Sequence, residues 1–500
     1  MKHAIVTAGL LAGLLGTTAP AAAQVLEIAV DASPAGLDPH ITTAFASFQV
    51  VNGTIYEGLT AIDKDLRIVP GLAEAWTVSD DNRTYRFKLR QNVMFHDGSP
   101  MTAEDAAASI RRVQSKEIAS PLASRLAAVE SASAVDAQTL EVKLKEPSAP
   151  LLASLATLAV VPKAFEANKE ALQKTPVGTG PFKFQEWQPN GFILLGRHDR
   201  YWEAGAPKLA GVKLNIVPES ATRQVGLANG QYQMLPSIDG ATAMQLKGRP
   251  SVRLAETLEL AYTLIGMNVS KPPFDNPKVR EAVNTALNRQ EMVEAALFGA
   301  GVPAGPLSPA LKAWALPTSE YGCYRHDPAR AQALLKEAGV TTPLKVSMTV
   351  FPRQDIKDLA QVAQEQLKKV GIEVELKNLE LGQFIQDWRN SNFDLFASTN
   401  AGSPDPDEYF FRTFRTDGST NVFKYSNPEV DRLLDTARAT LDPATRKSAY
   451  DQVQKTLACT GPAAHLAYAT LFTATRNGVQ GFDILSNRSL SSLRNTAASR

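Results

Sequence analysis

Apolar strands that alternate with amphipathic helices form the clearest pattern in the chain. Strand patterns cover residues 344–350, 372–376 and 393–396. Between them, apolar residues recur at helical spacing in one segment that ends at Gly371 and in another at 381–389. A β-α-β-α-β order almost always builds right-handed crossovers in a parallel sheet. Because open sheets of this kind bind ligands at the carboxyl ends of their strands, we expect a ligand site where the third strand ends.

The first half of the chain follows a different pattern. Large apolar and basic residues alternate at 85–90, and 139–145 repeats the alternation, as antiparallel strands with one buried face require. Between them Thr102 and Asp105 have the spacing of a capping box, which predicts the start of a helix. A further helix is predicted over 50–59. Since this half lacks regular βαβ alternation, we expect strands and helices to be mixed there.

The N-terminus has the pattern of a cleaved secretory signal. Lys2 supplies a positive charge, residues 4–16 are apolar and small, and the alanines at 21–23 form a cleavage site before Gln24. No cysteine stands at that point to receive a lipid, and no later apolar run reaches the roughly 20 residues that span a bilayer. We therefore expect residues 1–23 to be removed and the mature protein to be periplasmic.

Composition narrows the class further. The 500 residues suffice for two or three domains, and 44% are hydrophobic, which suits a globular protein with a sizeable core. The net charge of +1 and the absence of a basic run argue against nucleic-acid binding. Cys323 and Cys459 fit an oxidising compartment, where they would form one disulfide or remain as two buried thiols. On the chain-entropy model such a bridge is worth roughly 4–5 kcal/mol, usually less in practice.

Signals for catalysis or a cofactor are weak. The six histidines have no metal-ligand spacing, and no G-x-S-x-G nucleophile elbow is present. Residues 178–181 (GTGP) lack the Lys and Ser/Thr of a phosphate loop, and His96-Asp97 runs directly into a Gly-Ser-Pro turn. We expect no enzyme activity, no cofactor and no metal site, and keep a secreted hydrolase with a site assembled from distant residues as the alternative.

An ordered set of short motifs resembles one family across essentially the whole mature chain. The motifs are Ile55-Tyr56-Glu57-Gly58-Leu59, Pro70-Gly71-Leu72-Ala73, Phe95-His96-Asp97-Gly98, Gly178-Thr179-Gly180-Pro181-Phe182, Tyr201-Trp202, Phe274-Asp275-Asn276-Pro277 and Tyr425-Ser426-Asn427-Pro428. Together they resemble the solute-binding proteins of peptide-type ABC importers, extracellular solute-binding family 5. Single motifs are weak, but the ordered set is highly specific.

The resemblance implies an α/β, two-lobed periplasmic-binding-protein fold of the class II (cluster C-like) type, with an extra subdomain inserted in the N-terminal lobe. Lobe I would comprise residues 24–54, 177–265 and 482–500, and the inserted subdomain residues 55–176. Lobe II would comprise residues 266–481. The lobes would close on a solute and deliver it to an inner-membrane permease driven by a cytoplasmic ATPase. We expect a monomer.

The default ligand implied by the family is a short peptide. A zwitterionic peptide enclosed without water needs an acid for its ammonium and a base for its carboxylate. Arg353, just past the first strand of the parallel sheet, is the candidate carboxylate clamp, with a solvated loop arginine as the alternative. Phe45 and Tyr262 are candidate apolar walls, although such residues more often belong to a core.

The acid is missing from its expected place. When Asp405-Pro406 is set on the acid-Pro pair of peptide-binding relatives, Ser403 stands where they carry Asp, and Asn400 is neutral too. Gln233 also replaces a common Asp. We expect Asn400 and Ser403 to contact ligand, with Asp405 as a weaker candidate. A non-peptide solute such as an opine, small glycoside or metal chelate stays open, as does presentation of ligand to a membrane receptor.

Overall fold

The computed structural model describes residues 24–499, so the expected signal peptide lies outside the described residues. The strands are β1 (Val25–Val30), β2 (Thr60–Ile62), β3 (Ile68–Pro70), β4 (Ala73–Val78), β5 (Thr84–Leu89), β6 (Val129–Ala134), β7 (Thr139–Leu144), β8 (Phe182–Gln188), β9 (Phe192–Arg197), β10 (Gly211–Ile216), β11 (Met234–Ile238), β12 (Val252–Leu258), β13 (Tyr262–Met267), β14 (Gly301–Pro303), β15 (Leu344–Val350), β16 (Ile372–Asn378), β17 (Leu395–Asn400), β18 (Ala463–Arg476), β19 (Val479–Gln480) and β20 (Ala497–Ala498). The helices are α1 (Phe45–Val51), α2 (Ala103–Gln114), α3 (Leu151–Thr157), α4 (Ala171–Lys174), α5 (Ser220–Asn229), α6 (Gly240–Leu246), α7 (Pro277–Ala286), α8 (Arg289–Ala296), α9 (Pro328–Glu337), α10 (Gln354–Lys368), α11 (Leu381–Arg389), α12 (Asp407–Phe414), α13 (Pro428–Ala439) and α14 (Pro443–Thr460).

The parallel sheet predicted from the alternating pattern is present in lobe II. Strand β15 pairs in parallel with β16 on one side and with β17 on the other. Helix α10 follows β15 and α11 follows β16, which confirms the β-α-β-α-β order. Beyond β17 the sheet continues through β13 and β18, both antiparallel to their neighbours. The carboxyl ends of β15 and β17 therefore open on the same edge, as a ligand site at a sheet edge requires.

Lobe I has its own sheet. Strand β1 pairs in parallel with β10, and β10, β9 and β8 continue it as an antiparallel set. On the other side β1 reaches β11, which pairs antiparallel with the last part of β18. Buried apolar side chains from these strands share one core with the inserted subdomain. The C-terminal segment joins that core through Leu490 and Leu493, so it packs against lobe I.

Two chain segments cross between the lobes. Strand β18 pairs with β13 and β14 of lobe II through residues up to Ala469, and with β12 and β11 of lobe I from Thr470 onward. Strands β12 and β13 make the second crossing, joined by Glu259, Leu260 and Ala261. Residues 259–261 are called the crossing loop below. A relative rotation of the lobes must pass through these two segments.

The inserted subdomain carries a four-stranded antiparallel sheet in the order β4-β5-β7-β6. Strands β5 and β7, the two that alternation predicts, are direct neighbours, with Phe87 opposite Leu140. Helix α2 starts after Thr102, whose N–H and hydroxyl both donate to the Asp105 carboxylate at 2.8 and 2.7 Å. The capping-box prediction is thus confirmed, and the cap fixes where α2 begins.

The helix predicted over 50–59 is wrong. Helix α1 lies earlier and ends at Val51, and residues 52–59 form turns. Gly53 adopts a left-handed backbone with φ of +74°, which ends the helix, and its N–H bonds to the carbonyl of Tyr56. The apolar residues that suggested a helix, such as Ile55, are buried as part of this turn.

A disulfide joins Cys323 to Cys459, with their α carbons 5.6 Å apart. It ties the segment before α9 to the end of α14, so both of its cysteines belong to lobe II. Across residues 24–499 no helix combines the length and the apolar character needed to cross a membrane.

Candidate functional site: a cavity between the lobes

A cavity of about 270 Å³ lies where lobe I, the inserted subdomain and lobe II meet. Its walls come from separate segments: the start of α1, the loop around Arg125, the C-terminal part of α3, the crossing loop, the loop after β17, and residues 486–488. The cavity is therefore bounded by parts that belong to both lobes and by one of the two segments that cross between them. A ligand bound here contacts both lobes.

The loop after β17 forms the lobe II wall, as the sequence predicts. Ala401, Gly402, Ser403 and Pro404 all line the cavity. This loop packs tightly on the crossing loop, since a Cβ added at Gly402 would lie 2.1 Å from the Leu260 carbonyl oxygen and 2.1 Å from the Tyr409 hydroxyl. Only a glycine permits this approach without moving the backbone. The ligand wall and the crossing loop are thus in direct contact.

Two arginine–glutamate pairs face the cavity. The Arg125 Nε of the inserted subdomain lies 3.6 Å from Glu408 Oε1 at the start of α12, so this pair spans the space between the lobes. On another wall Arg488 Nε lies 2.6 Å from Glu259 Oε1 of the crossing loop. All four side chains are partly shielded from solvent, which strengthens their interactions with a bound charge.

An aromatic surface lies beside these charges. The Phe45 side chain is 44% exposed and lines the cavity, and Phe48 lies near it. The Arg488 guanidinium sits over the Phe45 ring at 5.1 Å from the ring centre. An exposed aromatic face in a cleft offers an apolar contact for a ligand side chain, as expected for Phe45 from the sequence.

Tyr262 and Asn400 lie behind the wall and are not among the lining residues. Tyr262 is 1% exposed and packs against Tyr409 with ring centres 5.9 Å apart. The Asn400 amide donates to the Tyr262 hydroxyl at 2.9 Å, and burial raises the pKa of Tyr262 to about 12. Strand neighbours point to opposite faces, so Ala261 lines the cavity while Tyr262 points into the core.

Asp405 and Arg353 also have other partners. Both oxygens of the buried Asp405 carboxylate accept from Arg446, at 2.8 and 3.0 Å, and one also accepts from the N–H of Asp407 at 2.9 Å. Arg353 is exposed and forms a two-point contact with Asp355 at 2.6 and 2.8 Å. Neither residue lines the cavity. Asp405 holds the start of α12 in place, and Arg353 is paired with Asp355 at the start of α10.

Sequence patterns missed the charged residues of the cavity. Glu408 lies in the same stretch as Ser403, and its signal is that α12 begins at Asp407, which turns Glu408 toward the crevice. Arg125, Glu259 and Arg488 carry no local signal, because each is a common residue type in an ordinary turn. Gln233, the other departure from relatives, accepts from the N–H of Glu27 at 2.8 Å and lies away from the cavity.

Comparisons with known proteins agree with this architecture. The family described as "Bacterial extracellular solute-binding proteins, family 5 Middle" matches residues 67–421. The glutathione-binding protein GsiB of Salmonella paratyphi A is 31% identical over 493 residues, covering 95% of both chains. The oligopeptide-binding protein AppA of Bacillus subtilis, solved with a nonapeptide, superposes with a TM-score of 0.83 at 25% identity and covers 96% of this chain and 100% of its own.

A further solved structure broadens the range of ligands among similar proteins. The binding protein AgaA from A. tumefaciens R10, in complex with agropinic acid, has a TM-score of 0.81 at 25% identity and covers 95% of this chain and 99% of its own. The family match spans well over half of the chain and runs through both lobes. The chain belongs to family 5 of the bacterial extracellular solute-binding proteins.

Proposed function

We propose that this protein is the periplasmic solute-binding component of an ABC importer and that it holds a short peptide or peptide-like solute in the interlobe cavity. The observation that carries the proposal is the pair of arginine–glutamate contacts, Arg125 with Glu408 and Arg488 with Glu259, which face one enclosed space at the crossing between two lobes. Each pair offers one cation and one anion to a ligand that bears both charges.

The charge arrangement supports a zwitterion. In place of the acid that is absent at Ser403, the cavity offers Glu408, the second residue of the following helix, and Glu259. Glu408 is the better ammonium partner, because its contact with Arg125 is 3.6 Å, longer than a hydrogen bond, whereas Glu259 and Arg488 lie at 2.6 Å. A ligand carboxylate can accept from Arg125 or Arg488 through a planar guanidinium fork. A bound ligand then takes the place of the arginine–glutamate contacts that the ligand-free protein makes.

The similar proteins support the same class of ligand. One relative is named for glutathione and a structural neighbour binds a nonapeptide. A second candidate within the same role is an opine, because AgaA binds agropinic acid and because the wall at 401–404 carries no charge. Opines and peptides share the combination of carboxylate and nitrogen groups, so the cavity charges fit both.

The role implies partners and a location. We infer delivery of the solute to an inner-membrane permease with a cytoplasmic ATPase, a periplasmic monomer released by cleavage before Gln24, and binding without catalysis. We also propose that the lobes move about the crossing loop and about β18 near Thr470. Lobe I then comprises residues 24–54, 177–258 and 470–500, the inserted subdomain residues 55–176, and lobe II residues 262–469, so both ends of lobe II lie earlier in the chain than 266 and 481, the bounds that the resemblance implies. The strand pairings that change at Ala469 and Thr470 support this axis.

Native mass spectrometry of protein purified without denaturation tests the proposal. We expect a co-purified solute with the mass of a short peptide or an opine. Calorimetric titration with glutathione, the dipeptide Ala-Ala and agropinic acid then identifies the class. Arg125→Ala should weaken the best ligand by roughly 1.5–3 kcal/mol, the range for a charged hydrogen bond. Arg86→Ala is the matched control and should change binding by less than about 0.5 kcal/mol, because Arg86 lies on the same subdomain, pairs with Glu141 and does not line the cavity.

The outcomes separate the alternatives. Steady release of a cleaved product from any peptide would favour a secreted hydrolase over a binding protein. Equal losses in Arg125→Ala and Arg86→Ala would contradict the assignment of the cavity. Recovery of a neutral sugar as the bound solute would remove the peptide proposal while leaving the role in transport.

A further inference from the structure

A second cavity of about 260 Å³ lies behind the first, between lobe I and the inserted subdomain. Thr157 and Asn487 line both cavities, so the two spaces adjoin at this point. The second cavity is nearly as large as the first and is more polar in character, with arginine, asparagine and serine side chains in its wall. None of the family motifs predicts a ligand there.

Two arginines reach this second cavity with hydrogen-bonding capacity to spare. The Arg90 guanidinium lies over the Trp202 ring at 4.4 Å and donates through Nε to the Gly71 carbonyl oxygen at 2.7 Å. These contacts are an aromatic face and a backbone carbonyl, which leave the two terminal nitrogens for a ligand. An arginine stacked on an aromatic ring is held in one orientation, ready to bind a planar anion.

The second arginine of this cavity, Arg494, forms an incomplete ion pair. Arg494 Nε lies 3.5 Å from Glu203 Oε2, and among residues 24–499 both of these buried atoms lack a hydrogen-bond partner. A buried polar atom without a partner costs about 1–3 kcal/mol. Arg90 stacks on Trp202 and Arg494 lies against the next residue, Glu203, and all four residues line the same cavity.

The acid in this region is already occupied. Glu57 accepts from the Tyr201 hydroxyl at 2.6 Å, the Thr179 hydroxyl at 2.9 Å and the Trp202 indole N–H at 3.1 Å. Burial raises the pKa of the Glu57 carboxyl, while its three hydrogen bonds and the charge of Arg494 oppose that rise. The three neutral donors occupy the Glu57 oxygens, so among residues 24–499 Arg90 and Arg494 donate no hydrogen bond to Glu57 and keep their terminal N–H groups for a ligand.

We propose that this second cavity is an anion subsite that binds a carboxylate at the distal end of the ligand held between the lobes. Arg90 and Arg494 bind the carboxylate, and the ligand passes between the cavities at Thr157 and Asn487. The Asn487 side chain faces both spaces and is positioned to bond the ligand where it crosses. The inference rests on the proposed function and extends it, because it selects peptides and peptide-like solutes that carry a carboxylate beyond the reach of the first cavity.

A test without ligand examines the subsite itself. Iodide, an anionic quencher, should quench Trp202 strongly because the neighbouring arginines attract it, and the difference between the protein and Trp202→Phe isolates this indole. Arg90→Gln and Arg494→Gln should reduce that part of the quenching, while quenching by neutral acrylamide stays the same. Arg83→Gln is the matched control, because Arg83 lies on the same subdomain and is paired only with nearby Asp81. Iodide and acrylamide quenching that fall together would overturn the subsite.

A second experiment tests its use by ligand. Calorimetric titration compares the dipeptide Ala-Ala with tri-Ala, tetra-Ala and glutathione. We expect at least one longer probe to bind about tenfold or more tightly than the dipeptide, and Arg90→Gln and Arg494→Gln to remove that gain while leaving dipeptide affinity the same. A gain that survives both substitutions overturns the link between the cavities. If no peptide binds the intact protein but iodide quenching responds as expected, the peptide proposal fails and the anion subsite stands.

Discussion

Glu408 decides whether the cavity can hold an ammonium group. Its carboxylate faces the interlobe space and is only loosely paired with Arg125. We expect Glu408→Gln to weaken binding of a peptide with a free amino terminus by roughly 1.5–3 kcal/mol, because a charged hydrogen bond is lost. Calorimetry with a free peptide and with its N-acetylated form checks this. The acetylated peptide has no charge to lose, so an equal effect on both probes would show that Glu408 acts on the fold of the wall.

Asp407, the neighbour of Glu408, makes the stability of the folded protein depend on pH. Burial raises the pKa of this carboxyl from an ordinary value of 3.8 to about 7. The positive charge of Arg438, 3.4 Å away, offsets part of that rise. Because the folded-state pKa exceeds the unfolded one, the folded state holds a proton that the unfolded state releases. The contribution to stability is complete below about pH 4 and is lost as the pH rises through 7.

We therefore expect Asp407→Asn to remove this loss, which is on the order of 4 kcal/mol for a shift of this size. Urea unfolding of the protein and the variant at pH 5 and pH 8 checks the prediction. The variant should have the higher free energy of unfolding, and its advantage over the protein should be larger at pH 8 than at pH 5. A difference that is the same at both pH values would show that Asp407 titrates normally.

At the scale of elements, the contact between the loop after β17 and the crossing loop is the tightest in the site. A Cβ at residue 402 would meet backbone and hydroxyl oxygen at 2.1 Å, far inside contact distance. We expect Gly402→Ala to reduce stability by about 1–3 kcal/mol and to weaken ligand binding, because either the ligand wall or the crossing loop must move. Thermal unfolding and calorimetry check both effects.

Gly382 offers a control for this substitution. It lies in α11, where an added Cβ meets no atom within 4 Å. Gly382 lies in the first turn of α11, so alanine there should be neutral or stabilise by less than about 1 kcal/mol, because glycine loses more backbone freedom on folding. If Gly382→Ala and Gly402→Ala destabilise equally, the loss at 402 has no connection with the crossing loop.

The elements were predictable from sequence where their signals are local. The caps at Thr102 and the alternation at 344–350 depend on residues a few positions apart, and α2 and β15 form where these signals place them. The face of a strand on which a residue lies was harder to predict from the sequence. Tyr262 was a candidate for either the ligand wall or the core, and it packs in the core, because a shift of one residue along the chain moves a side chain to the opposite face of a strand.

At the scale of the whole molecule, the sequence indicated two lobes and a crevice but not the charges within it. Arg125, Glu259, Glu408 and Arg488 come from four segments that are distant in sequence and meet only when the lobes, the inserted subdomain and the C-terminal segment assemble. No periodic pattern in the sequence indicates that these four side chains lie close together. Resemblance to a family also pointed away from them, because it directed attention to the position of Ser403, where relatives carry the acid.

The same charges couple ligand binding to the relative position of the lobes. Contacts between the inserted subdomain and lobe II include the Arg125–Glu408 pair at 3.6 Å, a backbone hydrogen bond from Ala149 N–H to the Arg438 carbonyl oxygen at 2.9 Å, and apolar packing of Leu66 against the lobe II core. A partly exposed pair of this kind is worth about 1 kcal/mol or less, and salt screens it. Such a weak pair favours the closed arrangement of the lobes only slightly. A ligand that replaces the pair must therefore supply the other contacts that hold the lobes together.

We therefore expect Arg125→Gln to enlarge the average radius of gyration of the ligand-free protein in small-angle X-ray scattering, because the closed arrangement loses one of its contacts. Saturating ligand should restore the compact form, since the ligand joins the two lobes directly. High salt should reproduce part of the effect in the unmodified protein and none of it in the variant. Arg86→Gln removes a pair with Glu141 inside the subdomain sheet and should leave the scattering unchanged. A variant that is as compact as the parent at every salt concentration would mean that closure depends on other contacts, such as the backbone hydrogen bond at Ala149 and the packing of Leu66, and not on the cavity charges.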